Sequence, residues 1–245
     1  SASMAASMRD FCLNLRQDSL ELVQAGKVDM SERFADVLLR SNRCDLKLPL
    51  EGIVLEALHQ VMVESSVAQT LEQVLTKDAV LYELSCLISD PGSQRQVVHP
   101  DNPHRPDQEK ASLLTCFIAL QDIHTDMGPT VFLPRTHTAQ VHADFHDENI
   151  RADAQLSPKD KLLQDRKPVL LGTLSKGSCS IFDSRLLHCG TANVSETTRA
   201  LFYLSFLNPN VSFPGNPGSI RPELGAAKIS LSQLLATVKE AHKQK

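Results

Sequence analysis

The feature that most restricts what this chain can fold into is a change of period at Ala79. Before it, apolar residues recur at the three- and four-residue steps of helices. After it come short apolar or alternating runs, separated by Gly, Pro, Asn and Ser, the pattern of strands and turns. No regular helix-length segments alternate with those strands. That argues against a parallel βαβ layout and for two antiparallel sheets stacked as a jelly roll, with the early helices packed outside.

The expected elements follow from this texture. Residues 9–25 predict a helix with Phe11, Leu15 and Leu22 on one stripe and Gly26 as its cap. Ser31 reads as the N-cap of a second helix through Phe34, Val37 and Leu38, and 53–63 and 66–75 predict two more. Strands are expected at 79–89, around His99, and at 111–123, 130–133, 169–174, 178–182, 186–188 and 199–207. The run at 111–123 is almost wholly apolar as far as Leu120, so it is placed centrally. Short helices or an insertion are expected at 138–149 and 157–166, the second opened by Ser157-Pro158. A Pro/Gly-rich loop then leads to a helix at 229–242. The whole, 1–245, reads as a single domain: a helical lead-in over 1–78, a β core over 79–210, and a loop and C-terminal helix over 211–245.

Composition excludes several functions. A net charge of −4 gives no basic stripe for nucleic acid, and the densest basic group, Lys159, Lys161, Arg166 and Lys167, is interleaved with Asp160 and Asp165. The longest apolar runs fall short of the roughly 18 residues a membrane-spanning helix needs. Six scattered cysteines with no C-x-x-C pair predict reduced thiols in an intracellular compartment, cytoplasmic by default. The opening SASMAASM reads as a trimmed end, and organelle targeting is not excluded.

Two stretches carry chemistry. Residues 177–207 read as two apolar strands joined by a polar loop, a hairpin that would set His188 and Arg199 on neighbouring strands facing one cavity. Val97-Val98-His99-Pro100-Asp101 places an imidazole and a carboxylate at i and i+2, on one side of an extended chain. Two His and one carboxylate on one face of a metal leave three positions open, the arrangement of non-haem Fe(II) oxygenases. An Arg beside them adds a planar fork that binds a carboxylate bidentately.

In order along the chain, His99-x-Asp101, His188 and Arg199, with Gly177, Phe182, Gly190 and Asn193 between the first and last of these, resemble the phytanoyl-CoA dioxygenase family. The runs LLTCFIALQD at 113–122 and GPTVFLPRTH at 128–137 join the resemblance, which covers residues 79–210. It implies a double-stranded β-helix of the cupin type with the metal at its open end. It also implies an Fe(II)- and 2-oxoglutarate-dependent dioxygenase that uses O2. Such an enzyme hydroxylates a small-molecule or lipid-like substrate while the keto acid is oxidatively decarboxylated to succinate and CO2. His99, Asp101 and His188 would hold the iron, and Arg199 the distal carboxylate of 2-oxoglutarate.

Around this centre, Tyr82, Ser85, Thr115 and Thr130 lie on strands expected to border the cavity and are candidates for the keto acid's other carboxylate. Asn193 matches a family position and supports either the loop or the site. Arg135, where the family often has Gly, precedes Thr136 and His137 at a strand exit, and would bind an anionic substrate group or face water. His104 is a candidate at the substrate entrance. His137, His142 and His146 include a helical i, i+4 pair that nothing completes into a zinc site, so they read as solvated. Cys189 should turn away from the metal by strand alternation.

The chain departs from the family in having Asn102-Pro103-His104 where an aromatic often follows His-x-Asp, and in having no Trp. It also lacks a Lys/Arg cluster suited to the phosphates of a CoA ester, so the substrate is left open. Two alternatives stand beside the dioxygenase: a cupin-like metal enzyme without 2-oxoglutarate, and a non-catalytic binding module on the same fold.

Overall fold

The structure is a computed structural model that describes residues 1–37, 40–105, 109–146, 156–166, 169–211 and 218–244. In chain order its elements are α1 (Ala2–Gln24), α2 (Met30–Arg33), β1 (Phe34–Ala35), β2 (Arg43–Lys47), α3 (Gly52–Met62), α4 (Val67–Val74), β3 (Val80–Ser89), β4 (Leu113–Ala119), β5 (Thr130–Phe132), α5 (Ala139–Phe145), α6 (Pro158–Asp165), β6 (Leu170–Leu171), β7 (Cys179–Asp183), β8 (His188–Gly190), β9 (Arg199–Leu207), α7 (Pro222–Ala227) and α8 (Leu231–Lys243). The strands form two antiparallel sheets, one of six in the order β1-β2-β3-β9-β4-β7 and one of three in the order β6-β5-β8. This is the two-sheet jelly roll expected from the strand pattern, the double-stranded β-helix that the family resemblance implies.

Alternation along the strands sorts the larger sheet's two faces. Ala200, Phe202, Leu204 and Phe206 of β9 join Leu114, Cys116 and Ile118 of β4 and Leu84, Cys86 and Ile88 of β3 in one apolar cluster. Met8 of α1, Leu58 of α3, Leu71 of α4 and Leu234 of α8 belong to the same cluster, so the helices cover this outer face. The intervening residues, Arg199, Leu201, Tyr203 and Ser205 on β9 with Thr115 and Phe117 on β4, face the smaller sheet. Phe117, Phe132, Phe182, Leu201 and Tyr203 pack together between the sheets. Behind the smaller sheet, Val131 and Cys189 pack with Val141 and Phe145 of α5 and Leu162 of α6, so the Cys189 thiol is buried away from the inter-sheet space. Phe202 is 1% exposed between β9 and the helices. Phe202→Ala is expected to lower stability by ~3–5 kcal/mol, read as a shift in the urea unfolding midpoint with an unchanged slope.

Several expectations are corrected. The second helix is four residues long and is capped by Asp29, whose carboxylate accepts from Ser31 N while Glu32 closes the capping box. Phe34 then leaves the helix to pair with Leu46, and Leu38 lies outside the described residues. Strand β2 was not foreseen, because its cavity side carries Arg43, Asp45 and Lys47, which hides the apolar alternation. On β3 a register shift between Leu81 and Glu83 accommodates Tyr82 as an extra residue. Leu81 therefore joins the helical side, while Glu83 turns inward. His188 and Arg199 are not on neighbouring strands: β8 pairs with β5 in the smaller sheet, and β9 lies between β3 and β4 in the larger. They face each other across the sandwich instead. Helix α7 was also missed, inside the stretch read as loop; part of the expected 138–149 segment lies outside the described residues. No helix of the described residues is long and apolar enough to cross a membrane.

Candidate metal centre and cosubstrate pocket

The segment bearing His99 is stitched to the start of β8. His99 N donates to His188 O and His188 N to His99 O, both at 2.9 Å, and Asp101 N donates to Ser184 O at 2.9 Å. This places the two ligand-bearing segments side by side although they are far apart in sequence. The side chains then converge. Asp101 Oδ1 lies 3.5 Å from His188 Nε2 and 3.9 Å from His99 Nε2, and one ligand atom from each residue falls within 4.8 Å of the others. Metal–ligand bonds of about 2.1 Å at right angles need donor atoms about 3 Å apart, so small side-chain movements complete the geometry.

The ring orientations are fixed from behind. His99 Nδ1 contacts Val97 O and His188 Nδ1 contacts Leu186 O, each at 2.8 Å, so each Nδ1 carries the proton and each Nε2 lone pair points to the shared space. Burial, and then the neighbouring His188, hold His99 below the usual imidazole value. Phe182 packs against His188 with ring centroids 5.2 Å apart. Two imidazoles and a carboxylate thus fit a divalent ion, and this is the only such group of three among the described residues.

The triad opens into a cavity of ≈ 250 Å³ between the sheets, which Arg199 also lines. Arg199 is 1% exposed; one guanidinium nitrogen donates to Gly128 O and the other to Ser89 Oγ at 3.0 Å. Gly128 is required there: its φ is +72°, and a Cβ would meet Thr191 O at 2.7 Å. The residue that sequence reasoning missed is Arg43. Strand register aligns Arg43, Ser89 and Arg199 across β2, β3 and β9, and Arg43 Nε donates to the same Ser89 Oγ at 3.1 Å. Among the described residues neither guanidinium has a carboxylate partner, and Arg43 Nη1 and Arg199 Nε are buried with no hydrogen bond. Burial, and then Arg43, pull Arg199 down to about 9.

The other candidates divide. Tyr82, Thr115 and Thr130 line the same cavity, and Thr115 Oγ1 is buried with no hydrogen-bond partner. Ser85 is instead bonded to Ser219. Asn193 does not line the cavity; its buried amide donates to Ser89 O and Thr197 O at 2.9 Å and accepts from Ser195, pinning the loop before β9 to the strand that carries Ser89. Arg135 and His137 are exposed and off the cavity, and Arg135 has φ +64°, the left-handed region where Gly is favoured. His104 is half-buried outside the cavity lining. His142 is not solvated as expected: it is buried, accepts from His104 N at 2.9 Å and bonds Arg185 O through Nε2 at 2.8 Å. Its place beside the turn before β8 makes it a structural clasp.

No curated protein sequence matches the chain. Among solved structures, the chain resembles the non-heme alpha ketoglutarate dependent carbocyclase SnoK from nogalamycin biosynthesis, with a TM-score of 0.59 and 19% identity, covering 92% of this chain and 82% of that one. HygX from Streptomyces hygroscopicus, solved with nickel and 2-oxoglutarate bound, matches with a TM-score of 0.55 and 14% identity over 86% of this chain and 81% of that one. The epimerase SnoN from the same nogalamycin biosynthesis matches at 0.53 and 16% identity, over 89% and 84%. At these identities the likeness speaks for the fold. The family model for phytanoyl-CoA dioxygenase matches residues 22–201, most of the chain and all three candidate metal ligands, and the protein belongs to the phytanoyl-CoA dioxygenase family.

Proposed function

We propose that the protein uses Fe(II) and 2-oxoglutarate to hydroxylate a small-molecule substrate, with His99, Asp101 and His188 as the iron ligands and Arg199 holding the distal carboxylate of the keto acid. The observation that carries this reading is the coincidence in one cavity of a His-Asp-His group with the buried Arg199 guanidinium, which shares Ser89 Oγ with Arg43 and has no acid partner among the described residues. A Lewis-acid metal enzyme would need the first and not the second; a binding module would need neither. HygX binds nickel and 2-oxoglutarate, and SnoN has been crystallised with Fe3+ and alpha ketoglutarate, which favours the same cosubstrate here.

Bound iron and 2-oxoglutarate would supply oxygen activation coupled to decarboxylation of the keto acid to succinate and CO2. The chain's own residues do the rest. Gly128 O and Ser89 Oγ orient the Arg199 fork, and Arg43 adds a second positive charge behind it. Thr115 and Thr130 present hydroxyls from the two facing sheets, with Thr115 Oγ1 free to bond the cosubstrate. Phe117, Leu87 and Leu113 line the remaining wall and keep water from the reacting centre.

Anaerobic addition of 2-oxoglutarate to the Fe(II)-loaded protein tests the reading. A weak visible charge-transfer band and slow succinate formation on admitting air are expected; metal binding with neither outcome sinks it. Arg43→Met should raise the dissociation constant for 2-oxoglutarate about tenfold, the effect of losing one charged neighbour, measured by titrating that band.

A further inference from the structure

The cavity is charged in a sense opposite to its cosubstrate end. Four carboxylates, Asp36, Asp45, Glu83 and Asp101, line it against a single guanidinium, Arg199. Asp101 belongs to the metal group, Arg199 is assigned to the keto acid, and Asp36 at the mouth pairs with Arg40. Asp45 and Glu83 remain. They sit on adjacent strands, β2 and β3, with the bulge at Tyr82 turning Glu83 inward.

Both are bonded to neutral donors only. Asp45 Oδ2 accepts from Tyr203 Oη at 2.6 Å, and Glu83 accepts from Ser205 Oγ at 2.6 Å and Ser219 N at 3.5 Å. Asp45 is 5% exposed, yet its Oδ1 has no hydrogen-bond partner among the described residues. Burying a carboxylate is costly: burial pushes Asp45 up to about 6, against the pull of Tyr203, Ser219 and Lys47, and Glu83 up to about 8, so Glu83 holds its proton at pH 7 until a cation draws it off. A plain cavity wall would use residues such as Leu87 and Leu113, which line it nearby.

We infer that the substrate carries a protonated amine, seated on Asp45 and Glu83 beside the Tyr203 ring. An ammonium group supplies a positive charge between the two acids and three N–H donors, enough for the free Asp45 Oδ1 and the Glu83 carboxylate. Tyr203 and Phe117 line the same cavity. A neutral alcohol brings one donor and no charge, and a phosphate or carboxylate would be repelled. The assignment rests on the oxygenase reading for the role of the cavity, and names the substrate class that reading leaves open.

The test titrates the Fe(II)- and 2-oxoglutarate-loaded protein, without oxygen, with matched probes: hexylamine, hexan-1-ol and hexanoate, then cyclohexylmethylamine and cyclohexylmethanol. Perturbation of the visible band is followed at pH 7. At least one amine is expected to bind about tenfold or more tightly than its alcohol, the worth of a charge-assisted contact, and hexanoate not at all. The Asp45→Asn/Glu83→Gln variant should erase that preference while keeping its 2-oxoglutarate affinity, which also reports that it folds. Equal binding of amine and alcohol, binding of neither, or a preference that survives in the variant overturns the inference. If no band forms with any protein, the oxygenase reading has failed. The amine preference is then read as a difference in melting temperature of the Zn(II)-loaded protein, with the same outcomes for and against.

Discussion

His188→Ala is expected to abolish 2-oxoglutarate turnover, lowering succinate formation by roughly three orders of magnitude or more, since a metal centre contributes several kcal/mol and each 1.4 kcal/mol is tenfold. Two reasons make this position sensitive. His188 is the most buried of the three candidate ligands, its side chain 7% exposed against 20% for His99 and 37% for Asp101. Its Nδ1 is committed to Leu186 O, so the ring cannot be replaced by a water held at the same angle. Its backbone forms the paired hydrogen bonds with His99 that hold the second ligand in place, and alanine keeps those. The loss should therefore appear as lost metal affinity and lost visible band with little change in melting temperature of the metal-free protein. Retention of an iron-dependent band in His188→Ala would remove His188 from the ligand set.

Arg199→Met is expected to weaken 2-oxoglutarate binding about a hundredfold or more, since hydrogen bonds to a charged group are worth ~1.5–3 kcal/mol each and a bidentate fork makes two. The effect should fall on KM for the keto acid rather than on Fe(II) affinity, because the guanidinium touches Gly128 O and Ser89 Oγ and none of the three metal ligands. Arg199→Lys tests the fork separately from the charge. It keeps a cation but not the planar pair of donors, and should recover only part of the lost affinity. Because Arg43 stays beside Ser89 in both variants, part of the affinity should remain. A KM for 2-oxoglutarate unchanged in Arg199→Met would show that the carboxylate binds elsewhere.

Much of the fold was legible because it depends on periodicity. Strand β9 begins and ends where the apolar run at 199–207 does, and Ser157-Pro158 opens α6 as its capping chemistry requires. Legibility failed where side chains on the inner face are charged. Arg43, Asp45 and Lys47 make β2 look like a surface loop, yet Arg43 and Asp45 are 5% exposed in the interior of the sandwich. It failed again at Tyr82, where one extra residue reverses the facing of everything before Glu83. His142 was read as solvated because its burial depends on His104 and Arg185, neither of them near it in sequence.

What the sequence by itself determined is the chemistry on offer: two imidazoles, a carboxylate and an arginine in a fixed order, and a strand pattern that can close only as two antiparallel sheets. Those are properties of residue types and of spacing, and letters carry both. Which groups share the cavity was decided only by the tertiary structure. The pairing of β2, β3 and β9 sets Arg43 beside Arg199 around Ser89, and the approach of the His99 segment to β8 brings the ligands to one point. The physical reason is that register between distant strands comes from the packing of the whole sheet, which no local stretch of sequence encodes.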